Sequence, residues 1–184
     1  MSIYFTADCH IGHFNAVRTC NRPFDTLEQM DETLINNWNK RVHKNDHVYI
    51  AGDLAWRGSV DSAISKIKRL KGIKHLAVGN HDRFYLKNAE YYALFEEIAP
   101  MLYLNNSEGH IIVCHYPMAE WNKSRRGSWL VHGHIHNKRD DVYDFMATRD
   151  RALNAGVDVC GFMPVTFQEL VAYNEAWKRG GLYE

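Results

Sequence analysis

The 184-residue chain lacks any stretch approaching the roughly 18 consecutive apolar residues that a membrane span requires. Membrane insertion is therefore not expected. The opening Met-Ser-Ile-Tyr-Phe-Thr-Ala-Asp has neither the basic region nor the apolar core of a secretory leader, so a cytoplasmic protein is expected. An excess of one charge is also missing. The 22 Lys and Arg match the 22 Asp and Glu, and no overall field draws in nucleic acid, which is not expected as an obligate partner. Cys9, Cys20, Cys114 and Cys160 form no CxxC pair, which excludes a zinc ribbon and a dithiol redox centre and leaves buried free thiols as the reading. No linker, repeat or low-complexity segment divides the chain. Residues 1–184 read as one domain, of a size that buries roughly 70% of the surface its unfolded chain exposes.

What is abundant is histidine, with eleven residues. Imidazole is the commonest transition-metal ligand, so the count points toward metal. The hydrophobic pattern places these residues. Apolar runs at 3–7, 48–51 and 75–78 read as strands. Between them lie two amphipathic helices, one opened by Thr26 with Gln29 at capping-box spacing and one capped by Ser59. This βαβαβ order favours parallel strands. A helix is expected near residues 88–97, then short strands at 101–104, 111–115, 129–132, 152–154 and 163–165, forming a second, mostly antiparallel sheet. Thr166 and Glu169 form a further capping box for a closing helix that presents Phe167, Leu170, Val171 and Trp177 and stops at Gly180.

Polar residues fall just after the apolar runs: Asp8 and His10, Gly52-Asp53, Gly79-Asn80-His81-Asp82, and His115. Open α/β sheets bind ligands beyond the carboxyl ends of their strands, so these groups are expected to converge. In Asp8-Cys9-His10 an extended backbone would turn both polar side chains to one side, with Cys9 opposed. The same alternation would pair His134 with His136 and leave Ile135 for the core. Either pair alone is weak evidence, since such short clusters are common on surfaces and in turns.

The ordered blocks DCH, GD, GNHD, H and GHIH, from Asp8 to His136, resemble the calcineurin-like metallophosphoesterases. The resemblance implies an α/β fold of mixed α+β character, a four-layer αββα sandwich of two packed sheets flanked by helices. It implies a hydrolase with a dinuclear centre and a metal-bridging hydroxide as nucleophile. Asp8, His10 and His136 would bind the first ion, Asn80, His115 and His134 the second, and Asp53 both. Two cations about 3.5–4 Å apart can clamp a phosphoryl oxygen, acidify a bridging water and stabilise an in-line transition state. The mixture of carboxylate, amide and imidazole donors suits manganese, iron, nickel or zinc, with manganese as first choice.

His81, directly after Asn80, is the expected acid catalyst; the bland alternative is a histidine that caps the turn. In related protein phosphatases the second block reads GDxxDRG and its later Asp orients this histidine. Residues 52–58 here read GDLAWRG, with Trp56 in that place and Arg57 as a candidate phosphate contact against a solvated loop residue. His13 and Asn15 are candidates for the pocket wall. Lys123, Arg125 and Arg126, with Trp121 and Trp129, could hold phosphate and stack a base, although a solvated loop explains them as well. His132 is expected behind the ligands, and Asn154 and Asp158 as hydrogen-bonding supports. The substrate is expected to be a phosphate ester, diester or monoester, with a nucleotide among the candidates. A protein phosphatase and a non-catalytic metal-binding scaffold are the alternatives.

Overall fold

The computed structural model describes residues 1–56 and 58–181. In chain order the elements are β1 (Ile3–Thr6), α1 (Asn15–Thr19), α2 (Leu27–Arg41), β2 (His47–Ile50), α3 (Val60–Lys68), β3 (Ile73–Ala77), α4 (Ala89–Tyr92), β4 (Glu97–Ala99), β5 (Met101–Asn106), β6 (Gly109–Cys114), β7 (Trp129–His132), α5 (Asp141–Ala147), β8 (Ala152–Asn154) and α6 (Phe167–Lys178). The expected caps are present. The hydroxyl of Thr26 accepts from the backbone N–H of Gln29, that of Ser59 from Ser62, and Thr166 and Glu169 form a complete capping box.

Two four-stranded sheets, ordered β1-β2-β3-β4 and β5-β6-β7-β8, pack against each other. The first is parallel throughout. Its outer face meets Met30, Leu34, Ile35 and Trp38 of α2 and Ile64 and Ile67 of α3. Its inner face shares a core with β5 to β8, including Phe5, Ala51, Ala77, Leu102, Val113, Val131 and Leu153. Met146 of α5 covers the outer face of the second sheet at Ile112, Leu130 and Ala152. Helix α6 closes the edge where β1 and β8 approach, burying Phe167, Leu170 and Trp177. The result is the expected four-layer sandwich.

Three local expectations change. The second sheet is mixed: only β5 and β6 are antiparallel, whereas β6–β7 and β7–β8 are parallel. The connections 115–128 and 133–151 are long enough to return the chain to the same end of the sheet, as parallel pairing requires. The helix near 88–97 shrinks to α4, and Glu97–Ala99 instead adds a fourth parallel strand beside β3. Residues 163–165 form no strand, and Val165 makes one isolated antiparallel bridge to Phe5. Pro164 has no N–H to extend a ladder there. No helix among the described residues is long and apolar enough to cross a membrane.

Candidate metal centre

The registers align Thr6 with Ile50 and Ile50 with Leu76, so Asp8, Asp53 and Asn80 leave the first sheet at one end. In the second sheet, Val113 aligns with Val131, which brings His115 and Gly133-His134 to the corresponding end. Backbone bonds stitch these ends together. The N–H of Asp8 donates to the carbonyl of Gly52 at 3.0 Å, that of His10 to Asp53 at 3.0 Å, and that of Gly133 to His115 at 3.0 Å.

Asp8, His10, Asp53, His134 and His136 all have left-handed backbone, with φ between 52° and 72°. The expected extended alternation is therefore replaced by single left-handed residues. Cys9 and Ile135 nevertheless point inward as expected, 2% and 6% exposed. Asp, Asn and His enter the left-handed region several-fold more readily than most residues, so ligand chemistry and backbone shape agree here. Close approach also dictates two glycines. A Cβ on Gly79 would lie 2.2 Å from Asp53 Oδ1, and one on Gly133 2.6 Å from Asp8 Oδ2.

Ligand atoms of Asp8, His10 and His136 lie within 4.8 Å of one another, as do those of Asp8, Asp53 and His115, and those of His10, Asp53 and His81. His115 Nε2 lies 3.0 Å from Asn80 Oδ1 and 3.1 Å from His134 Nδ1. Asp53 Oδ2 sits between these groups, 3.8 Å from His10 Nε2 and 3.5 Å from His115 Nε2. Asp8 Oδ2 accepts from the N–H of His134 at 2.8 Å, while the buried Asp8 Oδ1 has no hydrogen-bond partner among the described residues. A buried, unpartnered carboxylate oxygen facing imidazoles is what a cation-binding site leaves behind, so the donor set fits metal binding.

Burial makes charge costly here. It lifts the Asp8 carboxyl to about 7 and raises Asp53 as well. It pushes His115 down to about 4 and lowers His10 and His134, so these rings are neutral and their lone pairs available. Burial opposes charge on His136 too, but its hydrogen bond to Asp158 wins and lifts it to about 10.

His81 donates its backbone N–H to Asp53 Oδ1 at 2.9 Å, and its Nε2 lies 3.7 Å from Asp53 Oδ2. Its ring packs on Trp56 at a centroid distance of 4.2 Å, and His13 stacks on the same indole. His13 thus belongs to the wall of the site. Asn15 is an exposed first residue of α1. Arg57 lies outside the described residues. His132 is buried, with Nδ1 3.0 Å from the Gly133 carbonyl oxygen. Asn154 and Asp158 are supports: Asp158 Oδ2 lies 2.8 Å from His136 Nδ1, and Asn154 Nδ2 donates to the His136 carbonyl at 2.8 Å.

The basic and aromatic cluster lies elsewhere. Lys123 Nζ reaches His110 at the start of β6, and Arg151 stacks over Trp129 at the start of β7. These are the strand ends opposite the ligands. Trp121 and Arg125 line a separate pocket of about 460 Å³ with Arg149 and Arg151. The cluster therefore does not join the centre.

Asp82, expected at this end of the sheet but given no role of its own, and Arg22, which the sequence did not single out, support it. Asp82, fully buried, accepts from the backbone N–H of Asp53, Leu54 and Gly79 at 2.7, 3.1 and 2.8 Å. Its place in GNHD was the available clue. Arg22 binds Asp158 and the carbonyl oxygens of Asp8 and Cys9. Nothing in its surroundings in sequence marks it as buried.

The family model for calcineurin-like phosphoesterases matches residues 1–179. An uncharacterized protein, MJ1445, of Methanocaldococcus jannaschii is 32% identical over 177 residues, covering 96% of this chain and 93% of the relative. The Gene 66 protein of Mycobacterium phage L5 is 29% identical over 161 residues, covering 73% and 77%. The crystal structure of AQ665, a protein of unknown function from Aquifex aeolicus, superposes with a TM-score of 0.71 at 24% identity over 91% of this chain and 96% of that one, a likeness of fold. The ordered blocks, the two-sheet sandwich and the match across almost the whole chain agree, and the chain belongs to the calcineurin-like phosphoesterase family.

Proposed function

We propose that the protein hydrolyses phosphate esters at a dinuclear centre in which Asp8, His10 and His136 hold one transition-metal ion, Asn80, His115 and His134 hold the other, and Asp53 faces both. The observation that carries the reading is the position of Asp53. Its Oδ2 lies 3.5–3.8 Å from nitrogens of His10, His81 and His115, so one carboxylate serves both ligand groups and the neighbouring acid. When bound, such ions supply positive charge for the phosphoryl oxygens and an acidified water.

The chain's own residues supply the rest. Gly79 and Gly133 let the backbone come close enough to seat Asp53 and Asp8. His81 is anchored to Asp53 through its main chain and walled by Trp56, and in this role it delivers a proton to the leaving oxygen. Arg57 is assigned to a phosphate oxygen on sequence position alone. Manganese is the preferred metal, an open phosphodiester or nucleotide the preferred substrate ahead of a monoester, and the cytoplasm the proposed setting.

The test is turnover of aryl phosphate diesters and monoesters by metal-free protein supplied with Mn²⁺. Metal-stimulated release from either, abolished in His81→Ala, is expected; no stimulation on both substrates removes the enzyme reading. Protein phosphatase activity is the lesser reading, since an indole stands where a carboxylate would orient His81. The scaffold reading is weaker still, because all seven ligand positions are filled.

A further inference from the structure

Arg22 is 4% exposed, yet every one of its five N–H donors has a partner. Nε and Nη2 grip the two Asp158 oxygens at 2.7 and 3.0 Å. Nη2 also donates to the carbonyl of Asp8 at 2.7 Å, and Nη1 to the carbonyl of Cys9 at 3.0 Å and to Met30 Sδ at 3.5 Å. A single guanidinium thus fastens the left-handed backbone around Asp8 and His10 from behind. It also fixes Asp158, whose Oδ2 lies 2.8 Å from His136 Nδ1. With Nδ1 turned to Asp158, the Nε2 of His136 is the nitrogen left for the centre, where its ring stacks on His10 at 5.1 Å. Asn154 holds the His136 carbonyl in place.

All three residues of one ligand group, Asp8, His10 and His136, are therefore tied to one buried ion pair. Among the described residues, the side-chain hydrogen bonds of Arg22 and Asp158 go to Asp8, Cys9, Met30, His136 and each other, and none goes to Asn80, His115 or His134. His115 is set by the Ala51 carbonyl oxygen, 2.9 Å from its Nδ1. Groups behind a metal ligand fix its orientation and basicity, and their loss typically weakens metal binding by about 10–100-fold.

We propose that Arg22 and Asp158 are a positioning pair that sets the affinity of the first ion selectively, leaving the second ion to its own supports. This rests on the dinuclear reading above. Neither side chain is among the seven proposed ligands, and both act through the residues they hold. A purely structural salt bridge would affect both ions equally, through the stability of the fold.

The test titrates metal-free, full-length protein with Mn²⁺ by calorimetry and follows the bound ions by electron paramagnetic resonance. Wild type is compared with Arg22→Lys, with Asp158→Asn, and with Arg22→Met/Asp158→Asn, which removes both charges together so that neither is buried alone. Wild type should take up two ions with a spin-coupled signal. The variants should bind one ion within about 3-fold of wild type and the other about 10–100-fold more weakly, giving an uncoupled signal at low metal. In a His134→Ala background, where the first group alone remains intact, Arg22→Lys should weaken the remaining ion by the same factor. Unchanged affinities, or equal weakening of both ions in every variant that still melts cooperatively, would overturn the proposal. Uptake of fewer than two ions by wild type instead overturns the dinuclear reading itself.

Discussion

The rings of His13 and Trp56 lie face to face, with centroids 3.4 Å apart and planes 3° from parallel. His81 packs on the same indole at 4.2 Å, tilted by 48°. The indole is therefore stacked on one histidine and packed against another, and with His81 as the proposed acid it would do sterically part of what a carboxylate does by hydrogen bonding. Trp56→Ala should lower kcat about 10–100-fold, short of the full value of a positioned acid, with KM changed by no more than about 2-fold. Trp56→Phe should recover most of the rate. Steady-state kinetics on the aryl ester decide the matter, and an unaffected kcat in Trp56→Ala would show that the indole does not orient His81.

Asp82 gathers three backbone N–H groups beneath the metal centre. Asp82→Ala strands all three and should destabilise the fold by about 3 kcal/mol or more. Asp82→Asn keeps one acceptor oxygen and should cost less, about 1–2 kcal/mol. Urea denaturation monitored by tryptophan fluorescence gives both values; equal midpoints for Asp82→Ala and wild type would contradict the assignment.

Gly79→Ala forces a Cβ to 2.2 Å from Asp53 Oδ1 and 2.6 Å from the Asp53 nitrogen, neither of which can swing aside cheaply. Activity should fall on the order of 10²-fold or more, since misplacement of about 1 Å at a reacting site costs that much. Gly58→Ala is the control, because its Cβ would meet nothing closer than 3.8 Å. Parallel assays of the two variants should separate sharply.

Metal uptake should release protons in a pH-dependent number. Burial lifts the Asp8 carboxyl from 3.8 to about 7, so near pH 6 it is mostly protonated and must ionise to bind a cation. His136, lifted to about 10 chiefly through its bond to Asp158 against the cost of burial, must also give up a proton. His115, near 4, gives up none. About two protons per chain should leave near pH 6 and about one near pH 8, and affinity should fall as pH drops through 7. Calorimetry in buffers of different ionisation enthalpy counts them; a number independent of pH would refute the Asp8 assignment.

Much of this was legible in the sequence because strand ends and ligand blocks coincide. The runs ending at Asp8, Asp53 and Asn80 identified three parallel strands, and the capping pairs Thr26/Gln29 and Thr166/Glu169 marked two helix starts. The strand at Glu97–Ala99 was not legible, because three residues with a glutamate at their head carry no period. The direction of β7 and β8 depends on crossover length rather than on the strands' own residues. Arg22 was invisible for a different reason: its burial is made acceptable by Asp158, which lies 136 residues further along the chain. The basic cluster at Lys123, Arg125 and Arg126 follows the solvated-loop alternative, because proximity to His115 in sequence became the opposite end of a strand in space.

Left-handed backbone at five of the seven candidate ligand positions sets the site against the stability of the fold. Each such non-glycine residue costs about 1–3 kcal/mol, so the five together oppose folding by an amount comparable to the roughly 5–15 kcal/mol that keeps a domain folded. His134 is exposed and has φ 72°, so its replacement by glycine relieves strain while opening little cavity. The His134→Gly variant should therefore melt no lower than the intact protein in the absence of metal. The five left-handed candidate ligands therefore stand where the backbone gains stability from glycine, so that site and fold pull in opposite directions at these positions.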